Sequence, residues 1–541
     1  MEGREKNGEC FLSGGIIYTM EPEHPSVEAM VIRDGRIVYR GDTAGAKRLR
    51  GAHTTSIDLR GRIALPGFIE SHCHLYHVGM WAGERWINCD DLSSIDEIIS
   101  AVRARAKQIS PGDPLLAYRY DDAKLKEKRH PTRFDLDPFF PETPVFMYHF
   151  GQHIMAVNSM GLRLAGIASA TPDPEGGTID RDEHGEPTGI LRESALNLIR
   201  DCLPTYTEDE IISCLEDASR MYLAMGITSV FEGYLGKMGG MKEAKAVARI
   251  ADAGGLPVRY ETAIPYWLWK ELRGGAGPGL EWGGDREWVR PVSMKLFQDG
   301  SLFNQAALSK PSRGQTKSGE QYLFYPQAEF EQMVVDAHNT GWPVLTHANG
   351  DVAIQSVLDA YERAMLAKKG TNLRHRIDHC QFATDQQLDR IARLGIAVTF
   401  LAIHIWHWGD RHIANFGTER AARLSPMAST LKRGIIFGMH NDGPFTPIEP
   451  LASIGVAVTR RSKSGDILGP KESISVDDAL RAFTLGNAYA SSDEKIKGSL
   501  KEGKLGDVVI LEADPYRVKP EEIKDIPVAM TIVAGKIAYA K

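Results

Sequence analysis

The feature that most constrains this chain is a succession of eight short apolar runs, most of them followed by stretches of helical period. The runs are Ile63–Ile69, Thr228–Glu232, Val258–Ile264, Val292–Phe297, Pro343–His347, His375–His379, Ala397–Ala402 and Ile435–His440. Between the later ones, Ala328–Asn339, Val352–Leu366 and Asp385–Leu394 repeat apolar residues at helical spacing. Eight strand–helix units in one stretch predict a closed parallel barrel. The interval between the first two runs is far too long for one helix. Residues 80–205 therefore read as an insertion with elements of its own, the strands Leu115–Tyr120 and Pro144–Tyr148 among them. An insertion after the first barrel strand is expected over the C-terminal face, where barrels place their active sites.

Both ends of the chain are β-rich instead. Ile16–Met20, Ala29–Arg33 and Arg36–Tyr39 stand at one end, and Asp507–Leu511, Met530–Val533 and Ile537–Tyr539 at the other. Asp34-Gly35 is a hairpin signal, because a two-residue turn of this kind needs positive φ. Ala534-Gly535-Lys536 reads as a second tight turn. The expected architecture is a (β/α)8 TIM-like barrel over 63–490, with a small β-sandwich domain built from residues 1–62 and 491–541.

Composition serves mainly to exclude. A net charge of −7 and the lack of a basic run argue against nucleic acid as a partner. Cys10, Cys73, Cys89, Cys202, Cys214 and Cys380 are scattered, with no C-x-x-C pair, which fits a reducing compartment rather than a disulfide framework. The polar start MEGREKNGEC has no apolar signal core, and no run reaches the ~18 apolar residues of a membrane span. A cytoplasmic enzyme is the expectation. The glycines of 274–279 and 283–284 follow no strand and carry no G-K-S/T, so they read as a loop and not as a phosphate cradle.

The chemistry gathers at the strand ends. His72-Cys73-His74 follows the first run, and residues two apart on a strand point to the same side, so both imidazoles can reach one metal. Lys295 lies within the fourth run, His347 ends the fifth, His379 ends the sixth and Asp442 follows the eighth. In a closed barrel these positions converge on one mouth. A lysine pointing inward must be paired or altered, since an isolated buried ammonium is costly. It pairs with Asp299 or Glu232, or it takes up CO2 as a carbamate whose two oxygens bridge two divalent cations. Imidazole and carboxylate-type oxygen suit Zn²⁺. The blander alternatives are hydrogen-bonded core roles for His347 or His379 and a helix cap for Asp442.

Several segments resemble the amidohydrolase superfamily, and more closely amidohydrolase family 3, the branch that includes N-substituted formamide deformylase. They are LPGFIESHCH (65–74), MKLFQDGSL (294–302), LTHANGD (345–351), RHRIDHCQ (374–381) and MHNDGPFTP (439–447). PTRFDLDPFFPETPVF (131–146) with HIMAVNS (153–159), and GSLKEGKLGDVVIL (498–511), resemble the branch's insertion and its closing β segment. The resemblance implies that His72, His74 and Asp442 hold one metal, that His347 and His379 hold a second, and that carboxylated Lys295 bridges them. It implies one or two zinc ions per chain, a proton-transfer role for Asp442, and by analogy a homodimer. Glu70 departs from the aspartate usual two residues before the first histidine. His153 matches a histidine that recurs in the branch, and either contacts the substrate carbonyl or makes a structural hydrogen bond.

The expected activity is hydrolysis of a C–N bond in a small N-substituted amide or formamide. Trp81, Trp86, Tyr120, Trp406 and Trp408 are expected to line an apolar pocket, with His407 beside them. The run Ile403–Trp408 is read as an aromatic wall after the seventh strand, against plain loop packing. A cyclic-amide hydrolase or deaminase on the same barrel is the alternative. From another class, a catalytically silent binding protein should have lost ligands, and here all six are present.

Overall fold

The computed structural model describes residues 8–110, 112–174, 177–273, 283–303, 306–313, 315, 318–368, 370 and 373–541. The glycine run at 274–279 lies outside them. The chain forms two compact units, residues 1–75 with 215–541, and Tyr76–Cys214.

The first unit holds the barrel. Its eight strands are Phe68–Cys73, Ile227–Glu232, Arg259–Pro265, Val289–Phe297, Val344–Ala348, Arg376–His379, Ala397–Phe400 and Phe437–Met439. Each pairs in parallel with the next in that order. Most are buried along their whole length, as a sheet covered on both faces requires. The expected helices follow their strands as Gln327–Asn339, Asp351–Ala367 and Asp385–Leu394. The last of these shows why the sequence stops and starts where it does. The Thr384 hydroxyl and the Gln387 side chain cap its start reciprocally, and Gly395 takes a left-handed φ of 65° at its end.

Among the described residues the eighth strand shares no backbone ladder with the first. A side chain closes this seam. The Asn487 amide donates to Ile69 O and, at 2.7 Å, to Met439 O. Gly438 makes room, since a Cβ there would lie 2.0 Å from Asn487 Oδ1.

The two termini build one eight-stranded sheet. Both expected hairpin turns are present, Asp34-Gly35 with φ of 51° and 75° and Ala534-Gly535 with φ of 50° and 76°. The run Ile63–Ile69 is divided between two sheets, which its uniform apolarity conceals. Ile63–Pro66 pairs antiparallel with Val508–Leu511 in the terminal sheet, and the barrel strand begins at Phe68. The switch falls at Gly67, whose Cβ would lie 2.3 Å from the Thr228 side chain.

The Tyr76–Cys214 unit carries its own six-stranded sheet, ordered Gly177–Arg181, Pro187–Glu193, Ile154–Val157, Val145–His149, Leu115–Tyr120, Trp86–Asn88. Ile95, Ile98, Ile99 and Val102 of the helix Ile95–Ala106 pack on Leu115, Ala117, Val145 and Met147 of the strands. Among the described residues no helix is long and apolar enough to cross a membrane.

Candidate metal centre

The ends of barrel strands one, six and eight bring His72, His379 and Asp442 together, with their donor atoms within 4.8 Å of one another. His72 Nε2 lies 3.6 Å and His74 Nε2 3.7 Å from Asp442 Oδ1. Each of these two histidines is fixed through its other nitrogen. His72 Nδ1 donates to Asp378 Oδ2, and His74 Nδ1 donates to Glu232 Oε1 at 2.9 Å. That bond places the proton on Nδ1 and turns the Nε2 lone pair toward Asp442, the arrangement that tunes histidine for a cation.

The other side is arranged differently. The His347 ring lies 4.4 Å from that of His379, centre to centre. His347 Nε2 sits between Asn349 Nδ2 at 3.0 Å and Gly300 O at 3.3 Å. His379 Nδ1 is buried and makes no hydrogen bond among the described residues. Burial pushes the His347 imidazole down to about 3 and His379 well below the ordinary histidine value, so both stay neutral.

Lys295 is 1% exposed, and its Nζ lies 3.5 Å from Asp378, not beside Asp299 or Glu232. It makes no hydrogen bond there, and burial, opposed by Asp378, lowers it to about 8. Asp442 Oδ1 is buried without a hydrogen bond among the described residues, and burial raises this carboxyl above its usual value against the pull of His72. Backbone strain concentrates at the same place. His379, Cys380 and Asp442 have φ of 70°, 47° and 61°, each costing roughly 1–3 kcal/mol. Asp442 is held in that conformation by its N–H to His72 O at 3.1 Å, and His74 N–H reaches Gly443 O at 2.8 Å.

Three buried polar atoms without a hydrogen bond among the described residues, two carboxylate-anchored imidazoles and a carboxylate near both fit a divalent cation. Without one, the neutral imidazoles and the orphaned Lys295, His379 and Asp442 atoms would be an unexplained cost in a well-packed barrel.

Some participants carry no local sequence signal. Asp378 anchors His72 and faces Lys295, while its Oδ1 takes Arg376 Nε at 2.6 Å and the Thr399 hydroxyl at 2.8 Å. Glu70 does not reach the cluster. Its carboxylate accepts Asn441 Nδ2 at 2.9 Å and the Asn441 N–H at 3.1 Å, tying strand one to strand eight. His440 is fully buried, its ring 4.9 Å from His379 and 5.2 Å from His72, and neither nitrogen is bonded among the described residues. The sequence marks it only as a strand end.

The weaker candidates fall in both units. Ile403–Trp408 belongs to a helix, Ile403–Phe416, kinked at Trp408, and not to a loop. Trp406 packs in an apolar cluster with Ile403 and Ile405, and His407 Nε2 is 3.9 Å from Glu449. In the insertion unit, His153 Nδ1 pairs with Glu193 Oε2 at 2.8 Å, and the buried Tyr120 hydroxyl lies 3.3 Å from His130 Nδ1. Trp81 stacks on Tyr118 with ring centres 4.5 Å apart, and Trp86 Nε1 donates to the Tyr206 hydroxyl at 3.2 Å. A second group there, Asp122, His130 and His149, has metal-ligand spacing. However, His149 spends both nitrogens on hydrogen bonds, Nε2 to Asp122 at 3.0 Å and Nδ1 from the Gly151 N–H at 3.2 Å.

Comparison with known proteins agrees with this geometry. A family profile described as "Amidohydrolase family" matches residues 55–539. The Bacillus subtilis protein YtcJ is 30% identical, over 98% of this chain and 99% of its own. The N-substituted formamide deformylase of Arthrobacter pascens is 28% identical, over 98% of each chain. The crystal structure of an uncharacterized metal-dependent hydrolase from Pyrococcus horikoshii superposes with a TM-score of 0.77 at 27% identity, covering 95% of this chain and 99% of that one.

Proposed function

The chain belongs to the amidohydrolase family, and from that premise we propose that it hydrolyses the C–N bond of a small N-substituted amide, a formamide being the leading case. The observation that carries the reading is the convergence of His72, His379 and Asp442 at three strand ends, with His72 and His74 presented Nε2-first by buried carboxylates. The full-length likeness to a formamide deformylase supports the choice of bond.

In this reading His72, His74 and Asp442 would hold one divalent cation, zinc, His347 and His379 would hold a second, and carboxylated Lys295 would add a negatively charged oxygen ligand. Bound there, such cations supply positive charge that acidifies a water molecule and polarises a carbonyl. The chain's own residues do the rest. Lys295 forms its carbamate when its neutral amine attacks CO2 and releases a proton to solvent, and burial keeps a neutral fraction available at a pKa of about 8. Asp442 Oδ1, without a hydrogen bond among the described residues and close to both Nε2 atoms, takes the proton of the attacking water. It returns that proton to the leaving nitrogen, so the amine departs neutral and the acyl carbon leaves as a carboxylic acid. Asp378 and Glu232 hold the imidazoles still throughout.

A panel of N-substituted formamides and small N-acyl amines, read for acid and amine, tests this directly. Release of a carboxylic acid with the matching amine supports the assignment. Ammonia released from a ring amine with no acid would make the protein a deaminase. Elemental analysis of the same preparation tests the cation, and protein that stays metal-free after incubation with zinc and bicarbonate would sink the reading.

A further inference from the structure

At the opposite end of the barrel, by the strand starts, lies a cavity of about 10 Å³. Phe231, Leu345 and Ala490 give it apolar walls, and Ser293, Arg376 and Ser491 line it with polar groups. These three polar residues are 3–4% exposed. Arg376 Nη1, Ser293 Oγ and Ser491 Oγ are buried, and none has a hydrogen bond among the described residues. Buried donors are almost always paired, so three unpaired atoms around one small space mark it as a binding site.

Size and charge decide what the space takes. It has room for roughly one water molecule. Both guanidinium charges at its wall are already answered. Arg376 gives Nε to Asp378 Oδ1 at 2.6 Å, and Arg374 meets Glu494 at 2.9 and 3.0 Å. The site therefore asks for a neutral molecule that both accepts and donates hydrogen bonds.

Its place in the barrel gives it a consequence. Ser293 stands two residues before Lys295 on strand four, and Arg376 two before Asp378 on strand six. Residues two apart on a strand share a face, so the cavity lies one layer beneath the candidate centre. Arg376 spans the two layers. Its Nη2 donates to Ser71 O, and its guanidinium lies 4.7 Å from the centre of the Phe231 ring. Its Nε holds Asp378, which in turn holds His72. Ser491 follows the short helix Asn487–Ala490, so the far end of the chain supplies one wall of the site.

We propose that this cavity binds one water molecule, which accepts the Arg376 Nη1–H and one serine hydroxyl and donates to the other serine, and that Arg376 so held is a positioning residue for Asp378 and His72. The water stands on the cavity alone, whereas the positioning role rests on the metal-centre reading above.

A crystal structure of the full-length protein should show one solvent peak about 3 Å from all three atoms. An anomalous peak there after a bromide soak would make the site anionic and overturn the water. So would a dry cavity whose three polar atoms pair directly. Zinc affinity, read by competition with a chelator, tests the positioning role. Ser293→Ala and Ser491→Ala each leave the water two partners, and each should weaken zinc binding by less than about threefold. The double variant leaves only Arg376, so it should lose the water and weaken zinc binding by about tenfold, more than the product of the single effects. If it does not fold, Ser293→Val, which fills the cavity from strand four, should give the same loss. Unchanged zinc affinity, or a double effect equal to that product, overturns the positioning role even where Tm falls. Wild-type protein that binds no zinc sinks the metal-centre reading and the positioning role with it, and the solvent peak then decides the water by itself.

Discussion

The two sides of the candidate centre are built to different standards. On the strand-one side, His72 and His74 each give Nδ1 to a buried carboxylate and are locked in ring orientation and tautomer. On the other side, His379 Nδ1 has no hydrogen bond among the described residues, and His347 is held by an amide and a carbonyl, both neutral. A charged anchor raises the basicity of an imidazole and a neutral one does so less. The strand-one side is thus preorganised by the fold, whereas the far side, together with Lys295, is left to be ordered by what binds. Such asymmetry suits a site that fills in sequence, first pair first.

Lys295→Ala breaks the comparison most severely. It removes the group between the two sides, so metal and activity should disappear together, with partial return on adding a short carboxylic acid. Retention of the wild-type metal content would refute the bridging role. Asp442→Asn comes next. It should keep much of the metal yet lose about 10²–10⁴-fold in kcat, the usual worth of a positioned proton-transfer group. A near-wild-type rate on a verified substrate would remove Asp442 from that role.

Glu232→Gln and Asp378→Asn sharpen the contrast. Each should weaken metal binding by about 10–100-fold in competition with a chelator. Asn349→Ala, which removes a neutral anchor of His347 and the bond of the same amide to Gly300 O, should cost less than about tenfold. Equal losses on both sides would erase the distinction drawn above. The smallest effect concerns pH. Carbamate formation needs the neutral amine, and Lys295 is held at about 8. Metal-free protein given zinc and bicarbonate should therefore recover more completely at about pH 9 than at about pH 7. Recovery that falls as the pH rises would contradict the sign.

The strand ends were legible because a barrel gathers the residues that close its strands at one mouth, positions that periodicity alone can find. His72, His74, His347 and His379 each close or follow an apolar run, and Asp442 stands just past one. Their partners were not legible in the same way. Asp378 and Glu232 sit inside such runs, and nothing local tells a carboxylate that orients a distant imidazole from one that pairs with a lysine. The sequence therefore offered Asp299 or Glu232 to Lys295, and the fold places Asp378 there. The division of Ile63–Ile69 between two sheets was equally hidden, because both sheets bury their strands and only Gly67 marks the crossing. His440 carries no sequence signal for the opposite reason. It is polar where the pattern expects the end of an apolar strand, and its meaning depends on the rings of His72 and His379 across the barrel.

The Asn487 clasp has a consequence for how the chain is made. Strands one and eight are joined by an amide that the ribosome adds long after His72 and Asp442 have emerged. The strand Ile63–Pro66 waits still longer, for Val508–Leu511. During synthesis the first barrel strand has no neighbour on one edge, and it must be kept from pairing wrongly until nearly the whole polypeptide is out. A protein truncated shortly before residue 487 would contain every residue assigned to the centre and still lack the Asn487 clasp, leaving the Glu70–Asn441 contact and two backbone bonds to join the first and last of them.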